Sequence, residues 1–188
     1  MKLLVIVDMI NGFVYDGNMA FTESQAVIDS IVKLATHFTN KNYDILAFRD
    51  EHLADSLEFR AYPVHCLKGS TESELISELQ IFENIIDNPK RSTNGVNTPQ
   101  FQALLQEKTY TEIVVVGVCT DICVLQTTLS LITQFYENNL DIKVSVVSDA
   151  VATFDSEAHN GAQYHDFALA LMSNANANIT TLEDIIEH

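Results

Sequence analysis

The sequence is poor in proline, glycine and cysteine and has no tryptophan, with three prolines, six glycines and three cysteines in 188 residues. So few chain breakers leave no linker-like segment, and at this length we expect one globular domain spanning 1–188. Three cysteines are too few for a disulfide framework, and at least one must be unpaired. We therefore expect a reducing, cytoplasmic location and a thiol that is free for chemistry.

Basic residues are also scarce, with ten lysines and arginines against 26 acidic residues and a formal net charge of −16. The cations form no dense patch that could neutralise phosphates, so nucleic acid is not an expected partner. No apolar run approaches the roughly 18 to 20 residues that a membrane helix needs. The first strand-like run meets Asp8 before any cleavage-like site, so we expect neither a membrane anchor nor an export signal.

Short apolar runs rich in β-branched residues alternate with segments of helical periodicity. The runs are apolar on both faces, which is typical of parallel strands covered by helices on both sides. The predicted strands are 3–7, 43–48, 112–118 and 141–147, with shorter ones near 84–86 and 177–180. The predicted helices are 24–40, 122–136 and 157–172, with shorter ones within 71–80 and 98–108. This alternation predicts an α/β fold of three αβα layers around a doubly wound sheet of about six mainly parallel strands.

Reactive side chains follow four of these strands. Asp8 follows the first strand, Asp50 and His52 the second, Lys90 the third, and the segment 119–123 the fourth. Ligands of such sheets bind outside the carboxyl ends of the strands, near the point where strand order reverses. We therefore expect these side chains to meet at one edge of the sheet.

Cys123 is the candidate nucleophile. Thr120 is a plausible helix N-cap, which would place Cys123 in the first helical turn, where free N–H groups lower the pKa of a thiol and favour the thiolate. The N–H groups of Cys119 and Cys123 could also hold an oxyanion formed on an attacked carbonyl. Taken alone, both cysteines can equally be small buried packing residues.

Asp8 and Lys90 supply what a thiol nucleophile needs. Asp8 can take the thiol proton and later protonate a leaving amine, although an aspartate at a strand end can also simply cap a turn. A Lys90 side chain that points into the cleft would keep Asp8 ionised and draw Cys123 towards the thiolate. A solvated lysine is the alternative, and Arg91 is the rival cation.

The long irregular segment 50–69 carries a set of nitrogen and oxygen donors. Asp50, His52, Glu58 and His65 suit zinc or another first-row divalent ion, the alternative being a polar surface loop. Three further histidines fall on predicted helices and receive no role: His37, His159 and His165.

The stretch GVCTDICVLQT, together with Asp8 and Lys90, closely resembles the isochorismatase-like cysteine hydrolase superfamily. The nucleophile of that superfamily lies in the pattern G-[VI]-x-T-D-x-C-V-x-x-T, and Cys123 occupies its position. The resemblance covers almost the whole chain, including SDAVATFDSEAHNGA. It implies a catalytic triad of Asp8, Lys90 and Cys123, an oxyanion hole at Cys119 and Cys123, and a cis peptide bond before Cys119.

The segment 50–66 looks like the metal loop of nicotinamidases within that superfamily. The resemblance implies that Asp50, His52 and His65 bind a divalent metal ion, with zinc as the expected metal. Many nicotinamidases have a third histidine where this chain has Ser56, so the fourth ligand position passes to Glu58, as in some bacterial members.

Aromatic side chains line the pocket in this family, and Phe13 and Tyr62 match two such positions. Bulkier aromatic residues are usual just after the catalytic lysine, where this chain has Thr93 and Val96. This departure from the family predicts a substrate pocket that is wider or less tightly stacked than usual, and with it a less exclusive preference for nicotinamide.

The implied activity is hydrolysis of nicotinamide to nicotinate and ammonia through a cysteine thioester, in NAD salvage, by a homo-oligomer acting on a small-molecule amide. Two alternatives stay open: a metal-free amidase of the same superfamily acting on a carbamoyl or ureido compound, and a non-catalytic binding protein on this fold. Nucleotide binding is not expected, because VDMING stands where a G-x-G-x-x-G turn would follow the first strand.

Overall fold

One fully parallel six-stranded sheet organises the structure, a computed structural model that describes residues 1–187. Its strands are β1 (Lys2–Val7), β2 (Asp44–Asp50), β3 (Ile85–Lys90), β4 (Glu112–Val118), β5 (Lys143–Ala152) and β6 (Asn178–Thr180). The strand order is β3-β2-β1-β4-β5-β6, so the direction of winding reverses between β1 and β4. This is the position at which doubly wound sheets bind their ligands.

Helices cover both faces of the sheet. The α-helices are α1 (Asn11–Val14), α2 (Ile28–Asn40), α3 (Ser77–Gln80), α4 (Pro99–Glu107), α5 (Leu125–Glu137), α6 (Gly161–Asn174) and α7 (Leu182–Glu187). Short 3₁₀ segments lie at Thr22–Val27, Leu57–Arg60, Thr71–Ser73 and Gly95–Asn97, and a π-helical turn, Thr120–Val124, leads from β4 into α5. Across residues 1–187, no helix is long and apolar enough to cross a bilayer.

The alternation of side chains along β1 shows why the sheet is covered on both faces. Leu3, Val5 and Val7 pack into a core with α4, α5 and α6, whereas Leu4 and Ile6 pack into a second core with α2 and α7. All five side chains are fully buried, and each contributes roughly 1.5 to 3 kcal/mol through burial. The predicted three-layer α/β fold is confirmed.

Several predicted boundaries are wrong for local reasons. The third strand runs to Lys90 despite its polar residues, because β3 is an edge strand and tolerates Pro89. The helix predicted from residue 157 begins at Gly161, since the Asn160 side chain caps it by accepting from the N–H of Gln163 at 2.9 Å. His159 therefore lies before α6, not on it.

Gly117 allows β4 to approach β1 closely at the end where the site forms. Its φ is +113°, and a Cβ built there would lie 2.0 Å from the carbonyl oxygen of Val7. Only glycine fits this conformation and this distance. The strand that leads to Cys119 is thereby held directly against the strand that leads to Asp8.

Candidate active site

Asp8 is fixed at the carboxyl end of β1 by the neighbouring strand. Its backbone adopts a left-handed conformation with φ +54°, and its N–H donates to the carbonyl of Phe48 at 2.9 Å. Its side-chain Oδ1 accepts from the N–H of Asp50 at 3.1 Å. The carboxyl group is fully buried and held in one orientation at the end of β1.

Lys90 joins two carboxylates at the same edge. It is the last residue of β3, its register partner is Asp50, and its Nζ lies 2.8 Å from Oδ2 of Asp8. The same ammonium group donates to Oδ1 of Asp50. Burial lowers the pKa of Lys90, but the two carboxylates outweigh burial and hold it well above its ordinary value. The predicted choice of Lys90 over Arg91 agrees with the geometry, because the Arg91 side chain is exposed.

The two carboxyl groups are driven in opposite directions. Burial and the nearby charge of Asp50 raise the pKa of Asp8 to about 7, with Lys90 opposing them. Burial also acts against ionisation of Asp50, but the charge of Lys90 and the two histidines, whose Nε2 atoms lie 3.5 Å from its Oδ2, hold its pKa far below the ordinary value. Asp8 is thus suited to exchange a proton near neutral pH, whereas Asp50 remains an anion.

Cys123 lies in the π-helical turn Thr120–Val124, and its buried side chain is close enough to the Asp8 carboxyl group to lower the pKa of that group. Burial raises its pKa well above the ordinary value, and the charges of Asp8 and Asp50 add to this, so Lys90 offsets them only in part. The prediction that the turn favours a resting thiolate is therefore wrong. Cys123 rests as a buried thiol beside a carboxyl group that can accept its proton.

The start of the helical turn also differs from the prediction. Cys119 occupies the N-cap position, with no side-chain cap, and Thr120 is the first residue of the turn. The Thr120 hydroxyl lies 3.0 Å from Nδ1 of His165 and caps nothing. The peptide bond between Val118 and Cys119 is cis, as the resemblance implies.

Asp50, His52 and His65 form a buried cluster beside Asp8 and Lys90. One donor atom from each lies within 4.8 Å of the others, and the Nε2 atoms of both histidines are 3.5 Å from Oδ2 of Asp50. Backbone hydrogen bonds of His52 with Cys66 and Lys68 fold the loop back and bring His65 alongside.

The hydrogen bonds around this cluster fit a divalent metal ion. Nδ1 of His65 lies 2.7 Å from the carbonyl of Pro63 and donates to it, so in the neutral imidazole Nε2 carries the lone pair and faces Asp50. Nε2 of His52 is buried and has no hydrogen-bond partner. Two histidine nitrogens and one carboxylate are ligands that zinc prefers, and a bound ion would satisfy these buried atoms.

Glu58, predicted as the fourth ligand, is not part of the three-residue cluster. It lies in the 3₁₀ segment Leu57–Arg60, whose first turn is capped by the Ser56 hydroxyl. Its side chain lines the same pocket, and burial and the charge of Asp50 raise its pKa. The Glu58 carboxylate is therefore near the cluster without adding a donor atom to it.

A narrow, largely apolar pocket opens over Cys123. Its lining consists of Phe13, Met19, Asp50, Glu58, Tyr62, His65, Thr93, Cys119, Ile122 and Cys123. Both predicted aromatic residues are present, and their ring centroids lie 5.7 Å and 6.3 Å from that of His65. Met19 and Ile122 were not predicted, because no sequence pattern links their distant positions to this edge.

The two positions that lack the usual aromatic residues have different environments. Thr93 lines the pocket and donates to the side-chain oxygen of Gln126 at 2.8 Å, whereas Val96 is buried in the core under α4 and α5. An open outer cavity shares Glu58, Tyr62 and Thr93 with the inner pocket. A small flat molecule could enter by this route and meet the Cys123 thiol.

Known proteins of one family match nearly the whole length of this chain. The sequence profile of the family described as "Isochorismatase domain" matches residues 2–184. Nicotinamidase 1 of Arabidopsis thaliana is 36% identical over 185 residues, covering 86% of this chain and 75% of that protein.

Two solved structures have the same fold. The pyrazinamidase of Pyrococcus horikoshii in complex with zinc has a TM-score of 0.82 and 22% identity, covering 96% of this chain and 98% of that chain. The N-carbamoylsarcosine amidase of Thermoplasma acidophilum has a TM-score of 0.81 and 23% identity, covering 96% of each chain.

Proposed function

Because this chain belongs to the isochorismatase family of hydrolases, we propose that it is a nicotinamidase, which hydrolyses nicotinamide to nicotinate and ammonia. One observation carries the proposal: the buried thiol of Cys123 lines the same pocket as Asp50 and His65 of the metal-type cluster, and Lys90 links Asp50 to the buried carboxyl group of Asp8. Identity of 36% to a plant nicotinamidase supports this substrate class. A cytoplasmic location, a role in NAD salvage and a homo-oligomeric state remain predictions.

In the proposed mechanism, Asp8 accepts the thiol proton of Cys123 as the sulfur attacks the carboxamide carbon. The N–H groups of Cys119 and Cys123 stabilise the negative oxygen of the tetrahedral intermediate. Asp8 then passes its proton to the leaving nitrogen, the C–N bond breaks, and ammonia departs from a thioester. Lys90 keeps the proton affinity of Asp8 low enough for each of these transfers.

Water completes the cycle. Asp8 takes a proton from a water molecule, whose oxygen attacks the thioester carbon, and the C–S bond breaks to release the carboxylate. The sulfur regains the proton from Asp8, which restores the starting state. Phe13 and Tyr62 would hold a flat pyridine ring between them over Cys123.

Asp50, His52 and His65 would hold a divalent ion, with zinc proposed from the donor set. When bound, the ion supplies a Lewis-acid contact that positions the substrate ring. The cluster favours a nicotinamidase over a metal-free amidase, which has no use for two buried histidines with lone pairs aimed at one carboxylate.

Ammonia release from nicotinamide, pyrazinamide and a simple ureido amide tests the proposal. Cys123→Ala should abolish release, whereas Cys119→Ala, which keeps the backbone N–H, is the matched control and should retain most activity. Preference for the ureido compound, or activity unchanged by chelators in protein free of bound metal, would favour the metal-free alternative. Equal slow release by the wild type and Cys123→Ala would refute the enzyme assignment.

A further inference from the structure

A second histidine–carboxylate pair lies at the catalytic turn, apart from both the triad and the metal-type cluster. Nε2 of His159 is 2.8 Å from Oδ2 of Asp121, which directly follows Thr120 in the turn that carries Cys123. Both side chains are largely shielded, with 13% and 11% exposure. The mechanism proposed above uses neither residue.

Contacts on both faces of the His159 ring and at both of its nitrogens hold the ring in one orientation. It stacks between Phe154, at 3.9 Å and 12°, and Tyr164, at 4.0 Å and 25°. Reciprocal backbone hydrogen bonds with Ser156 close the turn that carries it. Nδ1 lies 2.9 Å from the carbonyl of Phe154 and must donate to it, which aims Nε2 at Asp121. Both ring nitrogens thus face oxygen acceptors.

Asp121 connects this ring to the pocket. Its Oδ1 accepts from the hydroxyl of Thr153, the residue that follows β5. Burial, and next the charge of Asp121, raise the pKa of the Cys119 thiol, and Cys119 lines the pocket. Without a cationic or donor partner, this carboxylate would oppose negative charge forming on an oxyanion at the turn.

We propose that His159 is a positioning residue for hydrolysis: by donating to Asp121 it fixes the turn from Cys119 to Cys123 and offsets the carboxylate charge next to the forming oxyanion. This inference rests on the proposed function, because it concerns the same turn and the same intermediate. It assigns His159 an effect on the transition state and little effect on substrate binding.

The test uses His159→Phe, which keeps a flat ring between Phe154 and Tyr164 but removes both N–H donors. Its kcat for nicotinamide should fall about tenfold or more, less than the loss of a whole oxyanion donor, while KM changes by less than about threefold. Asn160→Ala is the matched control, because it removes the cap of α6 without touching Asp121. It should lower Tm but leave kcat close to that of the wild type.

A second variant separates charge from folding. Adding Asp121→Asn to His159→Phe removes the unpaired carboxylate, and kcat should recover severalfold towards the wild type. A kcat for His159→Phe equal to that of Asn160→Ala, or no recovery in the double variant, would overturn the inference.

Affinity for pyridine-3-carboxaldehyde distinguishes failure of this inference from failure of the proposed function. The Cys123 sulfur adds to the aldehyde carbon, the C=O π pair moves to the oxygen, and Asp8 holds the thiol proton, so the same oxyanion forms without an amide. If the wild type hydrolyses no amide, the proposed function fails, yet an aldehyde Kd about tenfold weaker in His159→Phe than in Asn160→Ala still supports the inference. Equal Kd values, or no aldehyde addition by the wild type, would overturn it.

Discussion

Replacing Lys90 with methionine removes a buried charge while keeping a side chain of similar length. The Nζ of Lys90 lies 2.8 Å from Asp8, a distance at which Coulomb attraction is about 6 kcal/mol at an effective dielectric constant of about 20. Desolvation offsets part of this attraction, and removing one partner of a buried pair costs about 3 to 5 kcal/mol. Because Asp8 and Asp50 both lose their cation, we expect Lys90→Met to reach the upper part of this range.

Urea unfolding and thermal melting in the presence of a chelator measure this cost. A loss of 3 to 5 kcal/mol corresponds to a Tm decrease of roughly 6 to 20 °C for a chain of this size. Arg91→Met, the exposed neighbour, is the matched control and should change stability by less than about 0.5 kcal/mol. If the two variants unfolded at the same urea concentration, the result would contradict the burial of the Lys90 ammonium group between the two carboxylates.

The pH dependence of the same variant gives an independent check. Without Lys90, the pKa values of both carboxyl groups in the folded protein lie above their values in the wild type. The folded variant therefore binds more protons at these carboxyl groups than the folded wild type, whereas the two unfolded chains bind the same number there. The free energy of unfolding of the variant must then fall more steeply as pH rises. The deficit of Lys90→Met should therefore be larger at pH 8 than at pH 5.

Catalysis and stability separate in a double variant. Lys90→Met should lower kcat/KM at least about 100-fold, because Asp8 then holds its proton too tightly to accept the thiol proton of Cys123. Adding Asp8→Asn removes one of the two unpaired carboxylates and should restore part of the stability, while activity stays lost. Recovery of activity in that double variant would contradict the role of Asp8.

The remaining predictions concern the metal-type cluster and the strand approach. His52→Ala should weaken zinc binding more than about 100-fold, above the range for outer-shell substitutions, and Glu58→Gln should weaken it less; unchanged zinc affinity in His52→Ala would exclude that ligand. Gly117→Ala should destabilise the protein by about 3 kcal/mol or more in urea unfolding, because its Cβ meets the Val7 carbonyl. Gly69→Ala, at φ +79° in open space, should cost only about 1 kcal/mol; equal losses would refute the close approach.

The sequence predicts the strand ends well where burial is continuous. After their first residues, Lys2 and Glu112, β1 and β4 contain no polar side chain, so their carboxyl ends, and with them Asp8 and Cys119, are visible in the sequence. β3 contains Asp87, Asn88 and Pro89 and was predicted too short, because an edge strand needs pairing on one side only. The burial of Lys90 follows from that pairing and leaves no periodic signal.

Predictions made from one segment fail where distant groups dominate. The thiolate prediction for Cys123 considered the helical turn alone, whereas burial and the carboxyl groups of two other strands set its pKa. His159 was assigned to a helix, although Asn160 followed by Gln163 is a capping pattern that places the helix start after it. That signal was present in the sequence, but the carboxylate that His159 meets lies 38 positions away.

Asp50 joins two groups of residues that the sequence presents as separate. One of its oxygens accepts from Lys90, and the other faces the Nε2 atoms of His52 and His65. Since Lys90 also contacts Asp8, the proposed metal site and the proposed proton carrier are connected through a single carboxylate and a single ammonium group. Any change in charge at the two histidines therefore acts on the proton affinity of Asp8, so in the proposed mechanism substrate placement and thiol activation are electrostatically coupled.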